Sequence, residues 1–450
     1  MKKTSLVGHV VELFELIRPL KNPVDSTVQE FFRNRRYLGS KDRRFISETL
    51  YGILRNYKLL RVYVEAGMQS VEPTKLPAVG LYIAYALRVL NEPRESVLLE
   101  TEGFWRLAFP KSDIREFIEP AAAAELPDAI KADDAKRIAV VYSFPDSVVE
   151  NWIAQFGVEE AERLCAALNV PAPTVVRVNT LKTSVDECRA LLEREGIQSE
   201  RTKLSNVGLV LGKRINAQSL RAFKDGWFEM QDEGSQLLSV LVQPAAGQVI
   251  VDACAGGGGK TLHLAAMMNN EGTLYSFDVD QQRLANIRPR LTRAGVSIAQ
   301  LHNVARSAEL LNSLAGVADS VLVDAPCTGT GTFRRNPAAK LVFDPASVER
   351  LAMTQLSVLE ANAPLVKSGG RLVYTTCTLM SEENENVVAA FLQRHPEFNL
   401  ISAADELRRS GVNIEKHRVE TSSEFLKLLP HEIGTDGFFA AVMQKLSLCA

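Results

Sequence analysis

From about residue 5 to residue 140 the apolar positions recur every three to four residues, which predicts a run of helices. The segments HVVELFELI, VQEFFRNRRYL, RRFISETLYGILRNYKLLRVYVEA and LPAVGLYIAYALRVL carry this period, with turns expected at Pro73, Pro77, Asn91 and Pro93. The pattern then shortens. Pro145 to Val170 reads as helix with Trp152, Phe156 and Leu164 as core, VVRVNTL as a strand, Thr183 to Glu195 as a helix, and VGLVL and WFEMQ as strands. These make a small α+β module. Beyond about Phe228 short apolar strands alternate with helical stretches, the signature of a doubly wound α/β domain.

In that last region a helix is expected over Asp232 to Val242, then strands beginning at Val249 and ending at Asp252, Asp278 or Asp280, Asn303, Asp324 and Cys377. A helix is expected from Asp344 to Leu365. SEENENVVAAFLQRH follows the Cys377 strand as a helix, with Ser381 as N-cap and Glu383 or Asn384 near the capping-box position. GFFAAVMQKL is expected to close the sheet. The resulting division is 1–142 helical, 143–228 small α+β, and 229–450 α/β.

Composition adds limits. A chain of 450 residues, 46% hydrophobic and 24% charged, is that of a globular protein with sizeable cores. Near-equal totals of 52 basic and 54 acidic residues neither favour nor exclude a polyanionic partner. With no apolar signal core and no long apolar run, neither secretion nor a membrane span is expected. The six cysteines are too widely spaced for a disulfide framework or a zinc knuckle, so reduced thiols in the cytoplasm and no bound metal are expected. Cys165, Cys188 and Cys449 read as bystanders, whereas Cys254, Cys327 and Cys377 each fall in a strand-end loop. Between Phe31 and Arg61 basic residues including Arg33, Arg35, Arg36, Lys41, Arg43 and Arg44 face only Asp42 and Glu48. Such a cluster suits a nucleic-acid backbone and equally a solvated helix face.

The chemistry centres on VIVDACAGGGGKTLHLAAMM: a strand, a tight small-residue turn and a helix N-terminus, where backbone N–H groups can hold a ligand at the carboxyl edge of a parallel sheet. It is not a P-loop, because Cys254 occupies the position of the required first glycine. Nor does it fit G-x-G-x-x-G, because Thr261 stands where the third glycine belongs. A purely structural glycine turn is the alternative. Asp278, one βαβ repeat later, is placed for a ribose hydroxyl. Asp324, Cys327 and Cys377 should meet at the same edge, where a thiolate is suited to conjugate addition to an electron-poor pyrimidine. Arg334, Arg335 and Lys340 are candidates to lower a thiol pKa and hold phosphates. Taken singly, any of these cysteines could equally be a small buried hydrophobe.

Taken together, RRYLGSKDRRFI, PTVVRVNTLKTS, EMQDEGSQL, DACAGGGGKT, DAPCTGTGTFRRNP, GGRLVYTTCTLMSEENE and LLPHEIGTDGFFA resemble the RNA cytosine-5 methyltransferases of the Nop/Sun kind. The resemblance is to their bacterial branch, which modifies small-subunit (16S) ribosomal RNA and carries a NusB-like N-terminal domain. It implies an all-α NusB-like RNA-binding domain, a small α+β linker and a Rossmann-like class I methyltransferase domain using S-adenosylmethionine. Cys377 is then the nucleophile toward C6 of cytosine, Asp324 the acid near N3 or the amino group, and Cys327 the cysteine that assists release. Cys254, Ala255, Gly256, Gly257, Gly258, Gly259, Lys260, Asp278, Asn303 and Asp324 would hold the cofactor. Arg33, Arg35, Arg36, Lys41, Arg43, Arg44, Arg334, Arg335 and Lys340 would face RNA, with Gln231 and Asp232 as further RNA or loop-ordering candidates. A monomer acting on unassembled or partly assembled rRNA is expected.

Three positions depart from the family pattern. Gly256 and Gly257 stand in place of alanine and proline, Val304 in place of an acid near the adenine, and Leu341 and Val342 follow Lys340 in place of tryptophan and a basic residue. The first two predict weak cofactor binding. They also motivate a rival reading, a catalytically degenerate RNA-binding or ribosome-assembly protein. A nucleotide hydrolase is disfavoured by Cys254 and by the lack of a Mg²⁺ partner set.

Overall fold

A computed structural model describes residues 1–20, 23–68, 76–414 and 424–447. Pro73 and Cys449 lie outside the described residues. The chain forms two compact units, Met1–Val170 together with Phe333–Phe343, and Pro171–Thr332 together with Asp344–Ala450.

The first unit is helical, as its apolar period predicts. Helix Ala78–Arg88 is buried on every side from Ala78 to Leu87 and forms its axis. Around it pack Lys3–Ile17, Ser40–Arg55, Tyr57–Gly67, Arg94–Ala108 and Ile114–Ala123. Gly52 lets helix Ser40–Arg55 approach this axis, since a Cβ there would sit 2.0 Å from the Tyr85 hydroxyl. Two expected continuous helices are broken. The long run from Arg43 to Ala66 divides at Asn56. The stretch from Pro145 to Val170 divides at Gly157, whose φ of +83° leaves the helical region, into Asp146–Phe156 and Val158–Leu168. Trp152 and Leu164 are buried as expected, while Phe156 is only half-buried.

The second unit contains two sheets. The small one joins β1 (Thr174–Val178), β2 (Ser199–Arg201), β3 (Gly208–Leu211) and β4 (Phe228–Met230) in the antiparallel order β2-β3-β1-β4. The main sheet contains β5 (Val249–Asp252), β6 (Thr273–Asp278), β7 (Ala299–Asn303), β8 (Ala318–Asp324), β9 (Val366–Thr376), β10 (Phe398–Ile401), β11 (Leu426–Leu428) and β12 (Phe438–Lys445). Its order is β10-β12-β9-β8-β5-β6-β7, with β11 paired to β12. Strands β5 to β9 run parallel, and β12 pairs antiparallel with β9 and β10. The expected last strand therefore does not close the sheet, because β10 lies outside it. This is the mostly parallel, Rossmann-like arrangement anticipated for the C-terminal region. The chain runs from β5 through β6 to β7, then returns to β8 on the other side of β5. The crevice beyond β5 and β8 is thus the switch point at which doubly wound sheets bind ligands.

The helix expected to begin at Ser381 starts later. Residues Ser381–Glu383 form a 3₁₀ turn, Asn384 is the N-cap, and the α-helix is Glu385–Arg394. Glu383 is buried rather than serving a capping box.

Candidate active site at the sheet switch point

Beyond β5, Cys254–Gly258 turn the chain into helix Gly259–Met267. Gly256 and Gly258 take left-handed φ values of +54° and +80°. Gly258 is doubly constrained, since a Cβ there would lie 2.8 Å from the Ile287 side chain. By contrast, Cβ positions at Gly256 and Gly259 would meet nothing nearer than 3.9 Å, so the loop backbone borders open space. A ligand held close to backbone amides fits that cradle.

The carboxylates around the loop are already organised by it. Asp278 accepts from the backbone N–H groups of Gly256 and Asp280, each at 2.8 Å, so its first task is to fix the turn. The Asn303 amide donates to the carbonyls of Asp278 at 3.3 Å and Val279 at 2.9 Å. Asp252 is fully buried and accepts from Thr261 Oγ1 at 2.7 Å; burial pushes its pKa up to about 6. Burial followed by Asp252 raises the Cys254 thiol above the usual range, which makes it a neutral wall of the pocket.

Lys260 donates to Asp324 Oδ2 at 2.7 Å, and Thr375 Oγ1 donates to Asp324 Oδ1 at 2.9 Å. Burial opposes the lysine charge, but the Asp324 carboxylate outweighs it and raises the Lys260 pKa. Three residues beyond Asp324, Cys327 Sγ lies 3.4 Å from Cys377 Sγ, the first residue past β9. The hydrogen bond with Cys377, reinforced by burial, holds Cys327 well above the ordinary thiol range. The two sulfurs are thus within hydrogen-bond reach of each other beyond the ends of β8 and β9.

Glu383 joins the two thiol-bearing loops. It accepts from Thr328 N at 2.9 Å, Thr378 Oγ1 at 3.0 Å, Gln355 Nε2 at 2.9 Å and the Thr328 hydroxyl. Burial raises its pKa. Its selection as a capping residue missed this role. The available signal was an acid six residues after Cys377 of the TTCT motif.

The basic candidates are dispersed. Arg33, Arg36, Lys41 and Arg44 are exposed, and Arg44 pairs with Glu48 at 2.9 Å. Arg35 lies 3.8 Å over the Phe31 ring and pairs with Glu12, while Arg43 Nε donates to the Leu38 carbonyl at 2.9 Å. Arg335 is exposed, but Arg334 is buried. Contrary to expectation, Lys340 does not face RNA. It is buried in the helical unit, where its Nζ donates to the Arg55 and Tyr142 carbonyls at 2.9 and 3.0 Å and to Asn169 Oδ1 at 2.8 Å. An amine so enclosed cannot reach a polyanion. Nor does a cation depress Cys327, whose pKa is raised. Gln231 accepts from Arg177 Nε at 2.6 Å and Asp232 caps helix Glu233–Val240, both internal tasks.

Residues 239–444 match the family model described as 16S rRNA methyltransferase RsmB/F, and residues 144–218 match the ferredoxin-like domain model of RsmF/B-like methyltransferases. "Probable ribosomal RNA small subunit methyltransferase B" of Bacillus subtilis (strain 168) is 31% identical over 91% of this chain and 92% of its own length. The protein of the same name from Synechocystis sp. is 31% identical over 91% and 92%. Among solved structures, that of PH0851 is 26% identical, covers 99% of both chains and superposes with a TM-score of 0.78. Together with a switch-point cradle and paired thiols, these similarities show that the chain belongs to the RsmB/F family of 16S rRNA methyltransferases.

Proposed function

We propose that the protein transfers a methyl group from S-adenosylmethionine to C5 of a cytosine in 16S ribosomal RNA through a covalent cysteine adduct. The observation that carries this reading is the pair of thiols, 3.4 Å apart beside the Lys260–Asp324 ion pair. S-adenosylmethionine supplies the electrophilic methyl group. The loop from Cys254 to Lys260, with Asp278 and Asn303, holds and orients it. Cys377 adds to C6 of the cytosine, which makes C5 nucleophilic. Asp324, fixed by Lys260 and Thr375, holds the ring at N3 or the amino group and stabilises the enamine-like adduct. Methyl transfer to C5 would release S-adenosylhomocysteine. Loss of the C5 proton to a solvent base then re-forms the C5–C6 double bond as the C6–S bond breaks and its electron pair returns to Cys377. Cys327, facing that sulfur, assists the elimination.

The target base has to leave its stack, which unassembled or partly assembled rRNA makes less costly. The reading keeps the three-part division 1–142, 143–228 and 229–450. The first part is a NusB-like RNA-binding domain presenting Arg33, Arg36, Lys41 and Arg44, with Arg335 as a further contact. The protein acts as a cytoplasmic monomer.

The test is transfer of radiolabelled methyl from S-adenosylmethionine to protein-free 16S rRNA, with nuclease digestion to identify the base. Label is expected in 5-methylcytosine. Cys377→Ala abolishes transfer while S-adenosylhomocysteine still binds. Cys327→Ala accumulates a denaturation-resistant protein–RNA species, because release stalls after addition. Normal turnover by Cys377→Ala would overturn the assignment. No transfer and no cofactor binding by the wild type would favour the degenerate RNA-binding alternative.

A further inference from the structure

The glycine loop has a brace outside the motif that defines it. Arg290, on helix Gln281–Ala294, donates Nη1 to the Gly257 carbonyl and Nη2 to Glu229 Oε2 at 2.9 Å. Glu229 lies on β4 with its side chain only 5% exposed, and its other oxygen pairs with Arg293. A buried carboxylate with two guanidinium partners is a fixed point, because letting go of either one reduces the compensation of a charge kept away from water. The same helix holds the next residue of the loop, since Ile287 fills the space beside Gly258.

Segments beside the small antiparallel sheet fix this helix at several further points. Asn179 Nδ2 donates to the Ala294 and Gly226 carbonyls, both at 2.9 Å. Gly226 approaches the Arg293 carbonyl so closely that a Cβ would sit 2.0 Å from it. The Arg293 guanidinium lies 3.8 Å over the Phe223 ring. The small module thus sets the position of the helix, and the helix sets Gly257 and Gly258.

From this arrangement we infer that Arg290, held by Glu229, is a positioning residue that pre-orders the cofactor loop, and that the small α+β module serves the cofactor site through it. Four consecutive glycines leave the loop many conformations to lose on binding, and a carbonyl tethered at its centre removes part of that cost in advance. The inference rests on the proposed use of S-adenosylmethionine.

The test compares Arg290→Ala, Arg290→Lys and Glu229→Gln with the wild type in the full chain. Titration calorimetry with S-adenosylhomocysteine is paired with hydrogen exchange of residues 255–259 in the ligand-free protein. Arg290→Ala is expected to weaken binding about tenfold, the loss of one charge-assisted hydrogen bond. Loop exchange should rise, and kcat at saturating cofactor should stay within about twofold of wild type. Arg290→Lys, which folds with its charge retained but cannot span both partners, gives a smaller change in the same direction, as does Glu229→Gln. Adding Gly257→Ala to Arg290→Ala should restore part of the affinity, because the Cβ at this position meets only Arg290 Nη1, at 3.4 Å, and stiffens the loop. Unchanged loop exchange in both Arg290 variants would overturn the inference. So would wild-type S-adenosylhomocysteine affinity in those variants. A wild type that binds no S-adenosylhomocysteine refutes the functional reading instead, and loop exchange then still decides whether Arg290 orders the loop.

Discussion

Lys340 shows how far a residue's charge can mislead when its surroundings are unknown. In the sequence it ends a basic stretch after a cysteine motif; in the fold its amine is enclosed by three oxygens and lies 4.4 Å over the Phe144 ring. Burial, with Arg55 nearby, drives its pKa well below 10.5. Lys340→Met leaves the Arg55 and Tyr142 carbonyls without this donor and should destabilise the helical unit by about 3 kcal/mol, measured by denaturant unfolding. The pH dependence has a definite sign. The folded state releases this proton at lower pH than the unfolded chain does, so the group adds stability as pH rises from its folded pKa toward 10.5. The stability difference between wild type and Lys340→Met should therefore widen over that window.

At the scale of elements, the ends of strands matter more than their interiors. Parallel β8 and β9 place Asp324 opposite Thr375, and the loops beyond them carry the two thiols. Those loops are irregular, so their relative position depends on the oxygens of Glu383 and on Thr330 Oγ1, which accepts from Leu379 N at 2.9 Å. Glu383→Ala should lower methyl transfer by about a hundredfold while leaving S-adenosylhomocysteine affinity unchanged, because the Cys377 sulfur, the proposed nucleophile, shifts and the cradle does not. Steady-state kinetics with calorimetry separates the two effects. The helical period of SEENENVVAAFLQRH was legible, but its first turn was not. Glu383 gives up a helix-capping position for buried hydrogen bonds in another loop, and no local pattern records that exchange.

Over the whole molecule, the order of residues along the chain and their grouping in space differ at one instructive place. The chain leaves the α/β unit at Phe333 and rejoins it at Asp344, and the intervening segment belongs to the helical unit. There Phe333 is 1% exposed, with its ring centroid 5.8 Å from that of Phe144, and Ala338 joins the helical core. A polypeptide of residues 1–170 lacks Phe333, Ala338 and Lys340. Its helical fold should be less stable than the same unit in the full chain by at least roughly 3 kcal/mol, the value of one large buried ring or of a few buried hydrogen bonds. Urea unfolding followed by circular dichroism would measure it.

The sequence by itself determined the helical N-terminal region, the alternating α/β region and the strand ends that carry Asp252, Asp278, Asp324 and Cys377. Each of these is written in local periodicity and turn residues, which act over a few positions. It missed β2, β10 and β11, strands of three or four residues with too short a pattern to read. The burial of Lys340 and Arg334, the inward turn of Glu383 and the hold of Arg290 on Gly257 were decided only by tertiary structure. For Lys340, Glu383 and Arg290 a polar side chain finds its partner through packing between segments far apart in the chain. A charge is legible in sequence, but whether it meets solvent, a carbonyl or another charge depends on which segments the fold brings beside it.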